Sequence, residues 1–326
     1  MSILAAAGLI AVGLALLAAG GELLVRGGAT IAKLARVTPA VIGLTIVAMG
    51  TSLPEMAVTF FARLSGRPEV AMGNIIGSNI FNIAAILGLA SMFIVLRVHG
   101  NAVKLEWPFM FISSALALLL ARDGRIDRLE GGFFVVSLVL FTVYCVHVAR
   151  NEVRGKEAEA IKEEIEALTT SVRKDGGIAF NIGLVVGGIV ALVLGARFLV
   201  DGAVTVAVIA GMSERVIGLT IVAAGTGLPE LATSVVAALR KQTEIAVANV
   251  MGSNIFNILG TVGLVSLIEP TEVSPALVNV DMWWMMAFSL AVLPMMYTGR
   301  RIVRTEGALL LAGYAVYLWI LIENNA

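Results

Sequence analysis

Cysteine is almost missing from this chain of 326 residues: Cys145 stands alone in an apolar run, which excludes an intrachain disulfide and any paired-thiol metal site. Histidine is limited to His99 and His147, neither in a ligand spacing, and no His-Glu-x-x-His occurs, so the chain fits zinc or copper chemistry poorly. Charge is scarce as well. Charged residues make up 14% against 59% hydrophobic ones, where soluble domains carry about 25% charge, and too little polar surface remains to hold a globule in water. Lys and Arg balance Asp and Glu at 23 each, which leaves no basic footprint for nucleic acid. The chain is expected to be an all-α polytopic membrane protein. Met1–Gly20 lacks the positively charged start of a secretory signal and runs on into further apolar sequence, so it reads as a membrane helix.

What is plentiful is apolar sequence. Ten runs of a length to cross a bilayer, roughly 20 residues each, lie at about 3–32, 38–62, 69–96, 104–121, 128–149, 177–207, 213–239, 243–268, 277–298 and 304–323. Two motifs recur among them. Gly43-Leu-Thr-Ile-Val-Ala-Met-Gly-Thr-Ser-Leu-Pro-Glu55 returns as Gly218-Leu-Thr-Ile-Val-Ala-Ala-Gly-Thr-Gly-Leu-Pro-Glu230, and Gly77-Ser-Asn-Ile-Phe-Asn82 returns as Gly252-Ser-Asn-Ile-Phe-Asn257. The offset is constant, 230 − 55 = 257 − 82 = 175. The chain therefore divides into a first repeat at 1–149 with its motif region at 43–88, a charged connection at 150–176, and a second repeat at 177–326 with its motif region at 218–263.

Five spans per repeat is an odd number, so the second repeat enters the membrane from the opposite side and the two are inverted, with broken helices at the shared site. Counting Lys and Arg at the span ends, and setting aside Arg26 and Arg197, fifteen fall on one face and six on the other. The basic face is the cytoplasmic one by the positive-inside rule, which puts both termini outside and the connection inside. Within the connection Ala158, Ile161, Ile165 and Leu168 recur at helical spacing among Glu and Lys, the pattern of a solvated helix bridging the halves.

The motifs carry oxygen chemistry. A proline in a helix removes an amide donor and pushes away the carbonyl four residues earlier, so Pro54 and Pro229 free the carbonyls of Gly50 and Gly225. In lipid such a carbonyl must be buried in protein or line a polar cavity. Thr51 and Glu55 stand four residues apart, as do Thr226 and Glu230, Ser78 and Asn82, and Ser253 and Asn257, so each pair shares a helix face. Carboxylate, hydroxyl, amide and carbonyl oxygens are hard ligands that suit Na⁺ and Ca²⁺, and Ca²⁺ tolerates a dehydrated, loosely shaped site better than Mg²⁺ does. Two buried glutamates without a counterion are costly in a bilayer. An empty site would resist crossing, competing ions would exchange by turns, and protons would compete with metal at the pair.

These segments resemble the alpha repeats of the calcium/cation antiporter superfamily, in its sodium/calcium exchanger branch of prokaryotic type. The proton-coupled branch has Gly-Asn followed by Glu where this chain has Pro-Glu. The resemblance covers both repeats and leaves only the connection unmatched. It implies an antiporter that moves Ca²⁺ against Na⁺ by alternating access, the long first and sixth spans sliding over a core of the others. It further implies that Glu55 and Glu230 are central ligands shared by Ca²⁺ and Na⁺, that Thr51, Ser52, Thr226, Ser78 and Ser253 supply hydroxyls for flanking sodium sites, Asn82 and Asn257 amide oxygens, and Ala48 and Ala223 backbone carbonyls. Two departures matter. Gly227 stands where the first repeat has Ser52, so the flanking sodium sites should differ; Asn257 replaces an Asp found in potassium-dependent members, which disfavours potassium co-transport. The expected setting is a prokaryotic plasma membrane, with Ca²⁺ and Na⁺ as substrates, lipid as the surroundings and no cofactor.

Outside the motifs, Glu22 and Arg26 map by the same offset onto Arg197 and Asp201, with charges reversed. Either Glu22 pairs with Arg197 and Arg26 with Asp201 across the two helices, or each pair is local at i,i+4. Glu106 and Asp281 correspond likewise and are expected at the solvated interface. A proton-coupled or broad-specificity cation antiporter is the alternative function. A passive channel is disfavoured by inverted repeats, since channels multiply a filter around an axis along the membrane normal. An intramembrane enzyme lacks a base beside Thr51 or Ser78.

Overall fold

The computed structural model describes residues 2–35, 38–64, 66, 68–154, 177–209 and 223–323. Most of the connection, 155–176, and the segment 210–222, which holds Gly218–Val222 of the second motif and the start of the seventh expected span, lie outside the described residues.

The described chain is helical almost throughout. The helices are α1 (Ile3–Ala35), α2 (Ala40–Thr51), α3 (Leu53–Leu64), α4 (Pro68–Phe93), α5 (Ala102–Asp123), α6 (Arg128–Arg154), α7 (Gly177–Ile209), α8 (Ala223–Thr226), α9 (Leu228–Leu239), α10 (Thr243–Ile268), α11 (Leu277–Arg300) and α12 (Arg304–Glu323). Among the described residues seven of these are long and apolar enough to cross a membrane, or eight if α2 and α3, bent by 43° at their junction, form one span. Ten were expected. The seventh expected span appears as the short apolar helix α9, because its first part falls in 210–222, and α12 is helical over 20 residues without being one of the seven.

Lipid-facing and core-facing helices separate clearly. Only 22% of the most apolar stretch of α1, α6 or α7 is buried, against 78% for α4 and α10, which therefore form the centre. Leu4 and Leu129 are each 84% exposed, as apolar side chains on the lipid-facing helices are expected to be. The apolar core forms two clusters. The larger includes Ile75, Ile80, Ile83, Val250, Ile255 and Leu259 of α4 and α10, and a smaller one joins Leu17 and Leu24 of α1 to Val185, Leu192 and Ala196 of α7.

Helices α1 and α7 run antiparallel in close contact, and glycine makes that possible. A Cβ on Gly20 would stand 2.9 Å from the Gly188 carbonyl oxygen, and a Cβ on Gly188 would stand 2.8 Å from the Leu24 nitrogen. Small residues at such a crossing let backbones approach where lipid gives no hydrophobic incentive to associate.

Four two-residue strands join the helix ends: β1 (Leu96–Arg97), β2 (Arg125–Ile126), β3 (Thr271–Glu272) and β4 (Arg301–Ile302). Both ladders are antiparallel and cross between the halves. Leu96 faces Ile302 and Arg97 faces Arg301; Arg125 faces Glu272 and Ile126 faces Thr271. The strands correspond by position, since 271 − 96 = 175 and 301 − 125 = 176, so each half's first strand pairs with the other half's second.

Candidate cation site

Where α2 meets α3 the backbone of Ser52 has φ −82° and ψ 5°, and between α8 and α9 that of Gly227 has φ −83° and ψ 2°. Both breaks come two residues before a proline, in keeping with the loss of its amide donor. Glu55 and Glu230 follow in the first turn of α3 and of α9, each 0% exposed. The Ser52 hydroxyl donates to Glu230 Oε1 at 2.8 Å, joining the first break to the second carboxylate. The two carboxyls lie close enough to interact electrostatically, and the Thr51 and Ser253 hydroxyls stand beside Glu230.

In the central helices the backbone widens into π-helical turns at corresponding places, Phe81–Ile86 in α4 and Phe256–Val262 in α10. Such turns recur at functional sites because they displace one residue from the regular ladder. Asn82 and Asn257 sit in them, fully buried, within a network of near two-fold form. The Asn79 side chain donates to the Asn254 carbonyl and the Asn254 side chain to the Asn79 carbonyl, each at 3.4 Å. Asn82 Nδ2 donates to Asn254 Oδ1 at 3.1 Å, and Asn257 Nδ2 to Asn79 Oδ1 at 3.0 Å. The amide donors are thereby engaged, and the Oδ1 atoms of Asn82 and Asn257 are left buried with no partner.

They are not alone. Both carboxylate oxygens of Glu55, Oε2 of Glu230 and the Ser253 hydroxyl are also buried and unpartnered. Together with the two asparagine oxygens, five of these six atoms can only accept. Leaving a buried acceptor unsatisfied costs about 1–3 kcal/mol, and more when charged, so an oxygen set of this kind is chemically suited to a hard cation. Among the described residues no group of three or more His, Cys, Asp or Glu side chains is placed to hold a metal ion. Two carboxylates with neutral oxygens are what this region offers.

The other expected residues fall out as follows. Thr51 Oγ1 approaches the Ala48 carbonyl at 3.3 Å and Asn249 Oδ1 at 3.4 Å. The Ala48 carbonyl also takes the Ser52 N–H at 3.0 Å, and the single Thr51 hydroxyl proton is shared between this carbonyl and Asn249. Thr226 donates to Asn74 Oδ1 at 3.4 Å, across the halves. Ser78 is buried, and among the described residues no hydrogen bond ties it to the carboxylates. Ala223 begins α8.

Several residues of the site were not singled out by the motif reading. Asn74 donates to the Glu55 carbonyl at 3.2 Å and to Thr59 at 3.0 Å; its counterpart Asn249 donates to Ser234 at 3.1 Å. The asparagine pairs 74/249 and 79/254 also stand 175 apart, so the repeat itself held the signal.

The charges outside the motifs need correction. Glu22 pairs with Arg240, and Arg197 with Asp201 at 3.9 Å within α7, so the cross-pair of Glu22 with Arg197 is not formed. Glu106 and Asp281 are only 3% and 8% exposed instead of lying at a wet interface; Asp281 accepts the Tyr317 hydroxyl at 2.9 Å. Each ends a π-helical turn at the start of its span, which rotates the carboxyl inward.

The sequence pattern of the sodium/calcium exchanger protein family matches residues 5–147 and 180–323. The chain belongs to that family. Within it, the chain is 33% identical over 319 residues to the inner membrane protein YrbG of Escherichia coli (strain K12), covering 98% of this chain and 97% of that one. It is 31% identical over 320 residues to the sodium/calcium exchanger MaX1 of Methanosarcina acetivorans, covering 90% and 91%. The solved structure of the sodium-calcium exchanger NCX_Mj soaked with 2.5 mM Na⁺ and 0.1 mM Ca²⁺ superposes with a TM-score of 0.82 at 30% identity over 98% of each chain. This exchanger-family chain is an integral membrane protein.

Proposed function

We propose that the chain is a secondary active antiporter that exchanges Na⁺ for Ca²⁺ by alternating access, the competing ions sharing a site around Glu55 and Glu230. The observation that carries this reading is the set of buried acceptors without partners: both Glu55 oxygens, Glu230 Oε2, and the Oδ1 atoms of Asn82 and Asn257. A Ca²⁺ ion held between the carboxylates supplies the partner they lack and cancels two negative charges; Na⁺ ions do so in smaller steps. Glu55 and Glu230 are the shared central ligands. Asn82 and Asn257 complete the centre, while Thr51, Ser52, Ser78, Ser253 and Thr226, with the Ala48 and Ala223 carbonyls, serve flanking sodium sites.

The same reading takes the architecture as ten spans in two inverted five-helix repeats, at 1–149 and 177–326. Support comes from the corresponding π-helical turns, the asparagine network and the crossed β ladders, all of which exchange one half for the other at an offset of 175 or 176. The separate α1–α7 cluster suits a pair of helices that moves over the central core. Exchanger-family relatives and the NCX_Mj structures argue for ion movement in place of catalysis.

The test is ⁴⁵Ca²⁺ uptake into proteoliposomes, comparing an outward Na⁺ gradient with matched K⁺, choline and proton gradients. Uptake that requires internal Na⁺ and is lost in Glu55→Gln and Glu230→Gln supports the assignment. Equal uptake on a proton gradient would transfer it to a proton-coupled or broad-specificity cation antiporter, and gradient-independent equilibration surviving both substitutions would remove the glutamate pair from the mechanism.

A further inference from the structure

The two β ladders differ in charge although they share a geometry. In β2–β3 the cross-strand partners are Arg125 and Glu272, opposite in sign; in β1–β4 they are Arg97 and Arg301, both cationic. Like charges directly opposite on a ladder are destabilising. Around the Arg97–Arg301 pair opens a cavity of about 590 Å³ lined also by His99, Lys104, Glu244 and Arg300. Four permanent cations thus face one carboxylate. Among the described residues none of the four makes an ion pair.

Backbone geometry reinforces the concentration of charge. Arg300 adopts φ 49° directly after Gly299 at φ 70°, a left-handed conformation that strains a non-glycine residue. It carries the guanidinium over Gly100, where Nη1 lies 3.5 Å from the place a Cβ would occupy. Gly100 opens the helical run that continues as α5, so the positive end of that helix points the same way.

The opposite ladder provides a built-in control. Its cavity, about 340 Å³, is lined by Arg122, Gly124, Pro275, Asn279 and Trp283 among others. Under the 175-residue offset Arg97 becomes Glu272, His99 becomes Ser274 and Lys104 becomes Asn279. The fold alone therefore does not demand cations here. They are a property of one face, the one that charge counting assigns to the cytoplasm.

We propose that the β1–β4 cavity is a binding site for a phosphate group, carried by an anionic lipid headgroup or present free in solution. Guanidinium groups in a fork around a helix N-terminus match phosphate geometry, and basic pockets at the ends of membrane helices are where headgroups reach. The site is independent of the cation site and of the transport reading.

The experiment is native mass spectrometry of the full chain in detergent, titrated separately with phosphatidylglycerol and with inorganic phosphate. The same titrations are made on Arg97→Gln/Arg301→Gln, on Lys104→Gln, and on the control pair Arg122→Gln/Arg125→Gln. The wild-type chain should retain at least one of the two probes. Each cation removed from the β1–β4 cavity should weaken that retention about fivefold, and the control pair should leave it unchanged. Retention of the lipid alone identifies a headgroup site, and retention of phosphate alone a soluble anion. Thermal unfolding midpoints show that each variant is folded, and Lys104→Gln carries the test if the arginine pair is needed for folding. The proposal is overturned if neither probe binds, if the cavity variants retain them like the wild type, or if the control pair loses as much.

Discussion

Glu55 and Glu230 hold corresponding places in the two halves, yet their surroundings differ. Glu230 receives the Ser52 hydroxyl at 2.8 Å, while neither oxygen of Glu55 has a partner. The residue that would brace Glu55 in the same way is Gly227, and the reason it is glycine is visible in the packing. A Cβ there would stand 2.8 Å from the ring of Phe81. In the other half the equivalent ring, Phe256, lies back against its own helix, 2.9 Å from where a Cβ on Gly260 would be. The first half has Ala85 at the position of Gly260, so Phe81 has no such recess and leans toward Gly227. Two small substitutions in register thus make one carboxylate braced and the other open. Inverted repeats with near-identical motifs can in this way present unequal ligands to unequal ions.

The largest expected effect separates the carboxylates themselves. Removing one charge from a buried, charge-matched site costs about 3 kcal/mol or more, over 100-fold in affinity, so Glu55→Gln and Glu230→Gln should each reduce ⁴⁵Ca²⁺ uptake to background at low calcium. The comparison predicts an order. A glutamine at 230 that still accepts from Ser52 puts its amide group in place of the one open oxygen there, whereas a glutamine at 55 keeps one of two open oxygens. Calcium half-saturation should therefore rise more in Glu230→Gln; the reverse order would mean the bracing has no functional weight.

Next in size is the brace. Ser52→Ala withdraws a hydroxyl from a buried carboxylate, and hydrogen bonds to charged groups contribute about 1.5–3 kcal/mol. Sodium half-saturation should rise by about tenfold or more, with a smaller change for calcium, because the two central carboxylates remain. Equal effects on both ions would show that Ser52 positions Glu230 without serving a sodium site.

A smaller change is expected from the attempt to make the halves alike. Gly227→Ser forces a side chain into the Phe81 ring, and overpacking of this kind costs about 1–3 kcal/mol, read as a lower thermal unfolding midpoint in detergent. Adding Ala85→Gly opens the recess that Phe256 already has in the other half. If the account of the two rings is right, the double variant regains most of the midpoint and gains a hydroxyl beside Glu55. No recovery would show that Phe81 is held by its edge-on contact with Tyr314, at 5.9 Å, and not by Ala85.

These relations mark where sequence reading reaches its end. The glutamates, the proline breaks and the offset of 175 residues were legible because they are written in consecutive motifs. The asparagines at 74, 79, 249 and 254 repeat just as faithfully, but the use of Asn254 and Asn79 as acceptors that engage the amide donors of Asn82 and Asn257 depends on two helices crossing, which no local pattern reports. Burial of Glu106 and Asp281 follows from one extra residue in a helical turn, a wobble that hydrophobic periodicity does not resolve. Phe81 and Phe256 occupy identical motifs and diverge through a glycine four residues on from Phe256 where Phe81 has an alanine.

Glu22 shows the same limit most plainly and carries the smallest expected effect. Symmetry suggested Arg197 as its partner, but the offset relates equivalent positions and says nothing about which of them touch. Helix α1 packs along α9, where Gly21 meets Ala232 and Val236, and this brings Glu22 to Arg240 at the end of that helix. With side chains 34% and 61% exposed, the pair contributes roughly 0–1 kcal/mol. Glu22→Gln or Arg240→Gln should change the maximal exchange rate by less than about fivefold and leave calcium half-saturation where it was. Exchanging the two charges, Glu22→Arg with Arg240→Glu, should restore the rate, while Glu22→Arg with Arg197→Glu should not. Restoration by the second exchange and not the first would mean that α1 and α7 do pair across the pseudo-symmetry axis in another state of the transport cycle, and that the contact with Arg240 belongs to one end of the motion only.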